Sequence, residues 1–222
     1  METDQRHESA APETNARTRE TTPEAPCEPD WRTSLGRHDA ELFYELLESA
    51  LAYANARFGI CPEPRPRLRG PVPPPERKEA LSRLLDALWE CPDLIEDFVA
   101  ENPDGLGPHA LEVASGWRHA LTSAFICVDA QPDAALYMDG RRVFSVTPLS
   151  SPADAHINVV PCLVRLTLLP FMGRIVTDGR VIHLSDDLMP EELDSLARAL
   201  ESASQRPVIQ TARDLSGYVS QP

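Results

Sequence analysis

The sequence predicts an α+β fold, in which an N-terminal cluster of about four helices packs on a small antiparallel sheet or partly open barrel and a C-terminal helix covers one edge. Two observations carry this. Apolar residues recur at three- and four-residue steps between residues 38 and 120, the period of amphipathic helices. After Leu121 the period shortens, and Asp139-Gly140 and Asp178-Gly179 each sit between β-branched or aliphatic runs, a strong short-range hairpin signal.

Residues 1–32 are rich in Glu, Thr, Ala and Pro and nearly devoid of aliphatic side chains before Trp31. Such a segment cannot offset its ordering entropy by burial, so a disordered acidic tail is expected there. The domain then spans 33–211. Its first helix runs from about His38 to Phe58, with Leu42, Phe43, Leu46, Leu47, Ala50, Leu51, Ala54 and Phe58 as one stripe and Gly59 as the stop. CPEPRPRLRGPVPPP, Cys61–Pro75, is too proline-dense for helix and is expected as an extended strap. Helices follow over about Pro75–Trp89, Asp93–Glu101 and Pro108–Ala120, the first with Pro75 in its opening turn. Short strands are expected over Thr122–Val128, Ala134–Met138, Arg141–Thr147 and within Leu163–Leu184, where Pro170 and Gly173 break the run. Asp178-Gly179 reads as a two-residue hairpin turn pairing the strands on either side. Pro190–Ser204 is the covering helix, Pro207–Thr211 a last strand, and 212–222 a loose tail.

Several function classes are disfavoured by composition. The 222 residues carry 35 acidic and 21 basic side chains, a net charge of −14, which opposes general phosphate-backbone binding. Five cysteines, at 27, 61, 91, 127 and 162, form no CxxC pair or zinc spacing, so reduced thiols and a cytoplasmic location are expected. No apolar run approaches the ~20 residues of a membrane span. Nucleotide-loop and nucleophile-elbow motifs are absent.

The candidate sites are correspondingly weak. Arg65, Arg67 and Arg69 alternate along the strap and could dock an anion or partner, since guanidinium pairs with carboxylate or phosphate; alternatively they neutralise the acidic fold locally. Trp117, Arg118 and His119 close the fourth helix and could line a pocket, or they are a core aromatic followed by cations that suit a helix C-terminus. His109, His119, His156 and His183 have no metal-ligand spacing, and Asp186, Asp187, Glu191 and Glu192 fit helix capping. No catalytic residue, metal or cofactor is expected. The leading reading is a non-enzymatic protein-interaction or regulatory module. The alternatives are an enzyme with a site at the helix–sheet junction and, against the charge, a nucleic-acid-associated protein.

Three stretches together resemble an uncharacterised bacterial region often found in SEC-C motif-containing proteins. They place Phe43, Tyr44 and Asn55 in the first, Glu101, Asn102, Pro103, Gly105, Leu106 and Trp117 in the second, and Leu168 to Phe171, Gly173, Ile175, Asp178 and Gly179 in the third. The likeness covers roughly residues 39–185. The cysteine-rich SEC-C motif itself is absent, so its zinc does not carry over. The resemblance implies a fold grouping and no activity.

Overall fold

The computed structural model describes residues 35–70, 73–155, 157, 159–184, 194, 198, 201–203 and 205–220. The expected N-terminal tail, Trp31 included, the Asp186–Glu192 cluster, His156 and most of the expected helix over 190–204 lie outside the described residues.

The fold is α+β. Helices α1 (Arg37–Phe58), α2 (Pro75–Trp89), α3 (Pro92–Glu101) and α4 (Pro108–Gly116) precede strands β1 (Leu121–Gln131), β2 (Ala134–Met138), β3 (Val143–Val146), β4 (Cys162–Phe171), β5 (Arg174–Thr177), β6 (Ile182–His183) and β7 (Val208–Ile209). A further helix, α5 (Ala212–Val219), follows. Each of α2, α3 and α4 opens on proline, whose missing N–H costs nothing in a first turn. Gly59 ends α1 in the left-handed region, φ 63°, and its N–H reaches Asn55 O.

Two corrections concern the chain's end and the sheet. Residues 212–222 were expected to be loose, yet Ala212–Val219 is helical, capped by Thr211 Oγ1 accepting from Asp214 N, and Leu215 is fully buried. Leu215 fills the sheet's inner core beside Phe144 and Ile209, a long-range burial that the polar sequence around it hides. The sheet is mixed and open: the order is β5-β4-β1-β2-β3-β7, antiparallel except for β7, which runs parallel to β3. It curls until β5 reaches the end of β3 at one bond, Thr147 N–H to Ile175 O at 2.8 Å.

The curl makes two cores. Cys162, Val164, Leu166 and Leu168 of β4 face inward with Phe125, Tyr137 and Phe144, following strand alternation. Leu169 and Phe171, further along β4, join the helical core around Phe43, Leu84, Phe98 and Trp117. Phe43 stacks edge-on against both Trp117 and Phe171, at 5.6 and 5.3 Å between ring centres.

The turn assignments need correcting too. Asp139-Gly140 does turn β2 into β3, but within a four-residue loop, with Met138 opposite Val143 and the Asp139 carboxylate accepting from Arg141 N and Arg142 N. The two-residue turn is Met172-Gly173, at φ 45° and 82°, between the paired residues Phe171 and Arg174; both angles match a type I′ turn. Pro170 does not break β4. Its partner Ile175 gives its carbonyl to Thr147, away from β4. Pro170 therefore directs its donorless nitrogen toward the β1 side, beyond the last β1–β4 pair at Leu121 and Leu168.

Asp178-Gly179 is not a hairpin turn. β5 and β6 do not pair with each other; both pair with the same edge of β4, Thr177 opposite Leu168 and Ile182 opposite Arg165. Three steps along β4 thus match five along its neighbour, and residues 178–181 are a detour in one edge strand, a bulge with two extra residues.

Candidate functional site

The detour turns the Asp178 carboxylate into the protein, where its side chain has no solvent exposure. A buried carboxylate must be satisfied. Oδ2 accepts from Trp89 Nε1 at 3.0 Å and Oδ1 from the Arg180 backbone N–H at 3.0 Å. The Arg180 guanidinium lies 3.6 Å from Asp178 Oδ2 and donates to Asp86 Oδ1 at 2.8 Å and to Ser82 O and Oγ at 3.0 and 2.8 Å. Burial pushes the Asp178 carboxyl up, while Arg180 and the Trp89 N–H pull against that rise. The network clamps α2, through Ser82, Asp86 and Trp89, onto the edge of the sheet.

Beside the clamp runs an open groove of about 600 Å³ between α2 and the detour. Leu81 and Leu85, with Tyr44 of α1, give it an apolar floor, and Lys78, Arg180 and His183 are its cationic or protonatable rim. Among the described residues Asp178 is its one acidic lining residue, and that carboxylate is already engaged. Across Tyr44, Gly179 and Val181 the groove adjoins a recess of about 90 Å³ under Pro148–Ser150, where Tyr44 Oη and Ser150 Oγ are hydrogen-bonded at 3.2 Å. The described lining thus sets Lys78 and the paired Arg180 over an aliphatic bottom in a net-negative chain. Within the lining, Ser82, Asp178 and Arg180 are tied to one another, a fixed polar frame that suits binding.

The residues singled out in the sequence lie elsewhere. Arg65 is hydrogen-bonded to Asp104, which Ser49 also meets; together they hold the Asp104 carboxyl below its usual range. Arg69 stands 3.8 Å from Glu48 and over the Tyr44 ring. Arg67 is exposed with no acidic partner among the described residues. The strap is fastened to α1 by Glu48, which accepts from Leu68 N, and by Asn55, which binds both sides of Cys61 and Glu63 O. Its recess mixes Glu45, Glu48 and Asp104 with the three arginines, so it carries no single sign.

Trp117, Arg118 and His119 diverge. Trp117 is buried in the helical core, its Nε1–H without an acceptor among the described residues. Arg118 is exposed, 3.8 Å from Glu96, and His119 touches Ser220 and Arg118 at the surface; burial first, then Arg118, lowers its pKa. They line no common cavity among those found. The sequence reading missed Asp178, Arg180, Ser82, Asp86 and Trp89, because Asp178-Gly179 carries an equally good turn signal. A clue lay in Arg180, a cation set beside that acid-glycine pair.

Among the described residues no helix is long and apolar enough to cross a membrane, and no three His, Cys, Asp or Glu side chains could hold a metal ion. No family model, no curated protein and no solved structure matches the chain.

Proposed function

We propose that the protein is a non-enzymatic interaction module whose groove between α2 and the 178–181 detour takes an extended acidic peptide segment with an aliphatic anchor. The observation that carries the reading is the groove's charge: Lys78, Arg180 and His183 rim an aliphatic floor in a chain of net charge −14. Complementary charge supplies register and on-rate, and the apolar floor supplies affinity. An extended segment fits because the groove follows an edge strand, the geometry that receives added strands. The scaffold is rigid there, since Arg180 and Asp178 are fixed from α2. The resemblance to the SEC-C-associated region assigns no activity and adds nothing to this reading.

The test is selection from a random peptide library on the immobilised protein and on a Lys78→Glu, Ile182→Asp variant. Lys78 is exposed and Ile182 is 36% exposed, so both substitutions leave the core untouched. The wild type should enrich peptides combining Asp or Glu with Leu, Ile or Val, and the variant should lose them by tenfold or more. Identical enrichment by both proteins, or none by the wild type, overturns the proposal.

A further inference from the structure

At the far end of the β1–β4 ladder two cysteines stand directly opposite each other. Cys127 and Cys162 are Cα partners, the last pair of that ladder. Both face the inner core, 0% and 5% exposed, and both are free thiols. Directly opposed residues of antiparallel strands share a face with Cα atoms about 4.5–5.5 Å apart, inside the roughly 4.4–6.8 Å that a disulfide spans. The pair therefore needs no strand movement to close.

The two thiols are not equivalent. A hydrogen bond from Cys127 and the nearby His183 draw the Cys162 thiol down against its burial. His183 reaches it because it pairs with Val164, two residues along the same face of β4. The Cys127 thiol is pushed far up by its bond to Cys162 and by burial, and it also lies 3.5 Å from Asp129 O. His183 thus stands beside Cys162, which places that sulfur to attack, and Cys127, directly across the ladder, is placed to reach it.

We propose that Cys162 and Cys127 form a peroxide-reactive dithiol that closes to an intramolecular disulfide, with Cys162 attacking and Cys127 resolving. The Cys162 thiolate attacks a peroxide oxygen: the S–O bond forms, the O–O bond breaks, and the departing alkoxide or hydroxide takes the proton that His183 received from the thiol. The Cys127 sulfur then attacks the sulfenic sulfur. The S–S bond forms, the S–O bond breaks, and hydroxide leaves with the Cys127 proton as water. Two thiols and one peroxide give one disulfide, one alcohol or water from the peroxide, and one further water. This chemistry shares His183 with the groove rim but needs no ligand in the groove.

Reduced full-length protein exposed to hydrogen peroxide, then denatured and alkylated, tests it by intact mass and peptide mapping. The expected product carries two fewer alkyl groups than the reduced control and has lost two thiol hydrogens, with a Cys127–Cys162 cross-linked peptide. Cys127→Ser should stop at a sulfenic acid on Cys162, trapped by a cyclic 1,3-dione, and Cys162→Ser should leave Cys127 unoxidised. Exposed Cys91 is the internal control. Full alkylation of Cys127 and Cys162 under peroxide that oxidises Cys91, or a disulfide mapped to another pair, overturns the proposal, and this wild-type measurement decides even where a variant fails to fold.

Discussion

Replacing Arg180 by Met keeps an aliphatic stem but removes the guanidinium that faces Asp178 and bonds Ser82 and Asp86. Ser82 and Asp86 are only partly buried, so water can replace their lost bonds. Asp178 cannot be rescued that way, because its side chain has no exposure. Breaking a buried pair by deleting one partner costs ~3–5 kcal/mol, and the surviving bonds from Trp89 Nε1 and Arg180 N place the expectation near ~3 kcal/mol, or about 6–12 °C in melting temperature for a domain this size. Asp178→Asn alone keeps an acceptor for Trp89 and should cost ~1–2 kcal/mol. In the double variant no stranded charge remains, so it should fall short of the sum by about 2 kcal/mol. Urea unfolding midpoints at a shared m value read all three. The sign with pH is fixed as well. Because the carboxyl is raised in the folded protein above its ordinary value of 3.8, folding favours its protonated form. The penalty for the ionised form is fully present above the folded pKa and disappears as pH falls to the ordinary value, and the Arg180→Met deficit should shrink over that window. An Arg180→Met cost below about 1 kcal/mol, or strictly additive single costs, would refute the assignment of a buried charge pair.

Leu215→Ala should cost ~2–5 kcal/mol, as removal of a fully buried leucine does; a loose tail would show no change in thermal unfolding. Gly173→Val should cost ~1–3 kcal/mol because the site sits at φ 82°, and Gly173→Asn much less, read by urea midpoints. Arg65→Ala should return the Asp104 carboxyl toward its ordinary range in an NMR titration. Since Asp104 is depressed, the stability it contributes is present above the unfolded pKa and is lost as pH falls through the folded one. A truncation starting at Trp31 should melt within a few degrees of the full chain, because the preceding residues supply almost no aliphatic side chains.

The helices were legible because their information is local: Pro75 at the first turn of α2 and Gly59 after α1 mark ends within a few residues of the cause. The strands were legible in existence and less so in connection. Met172 carries no turn signature, so the real β4–β5 turn went unread, while Asp178-Gly179 carries the best one and makes a bulge instead. What decides between the two is Trp89, 89 positions away, which supplies an acceptor-seeking N–H to the carboxylate. The groove was illegible for the same reason: Arg180 finds Ser82 and Asp86 across separations of 98 and 94 residues. Arg65, Arg67 and Arg69 attracted notice through local density, yet Asp104 and Glu48, brought in by folding, occupy two of them.

The short parallel contact at β7 has a consequence for solution behaviour. Val208 and Ile209 lie against Val143 and Phe144, and Val143 N–H is given to Pro207 O. Without that cover, β3 would present unsatisfied amides beside the aromatic ring of Phe144, and such a strand edge templates self-association. Residues 207–219 thus act as edge protection supplied 65 positions downstream of the strand they guard. Loop closure of that length is slow relative to local helix formation, so during synthesis the guard arrives after the hazard. Loss of this segment should therefore show as turbidity and oligomers at high concentration, in addition to the helix lost with α5 itself.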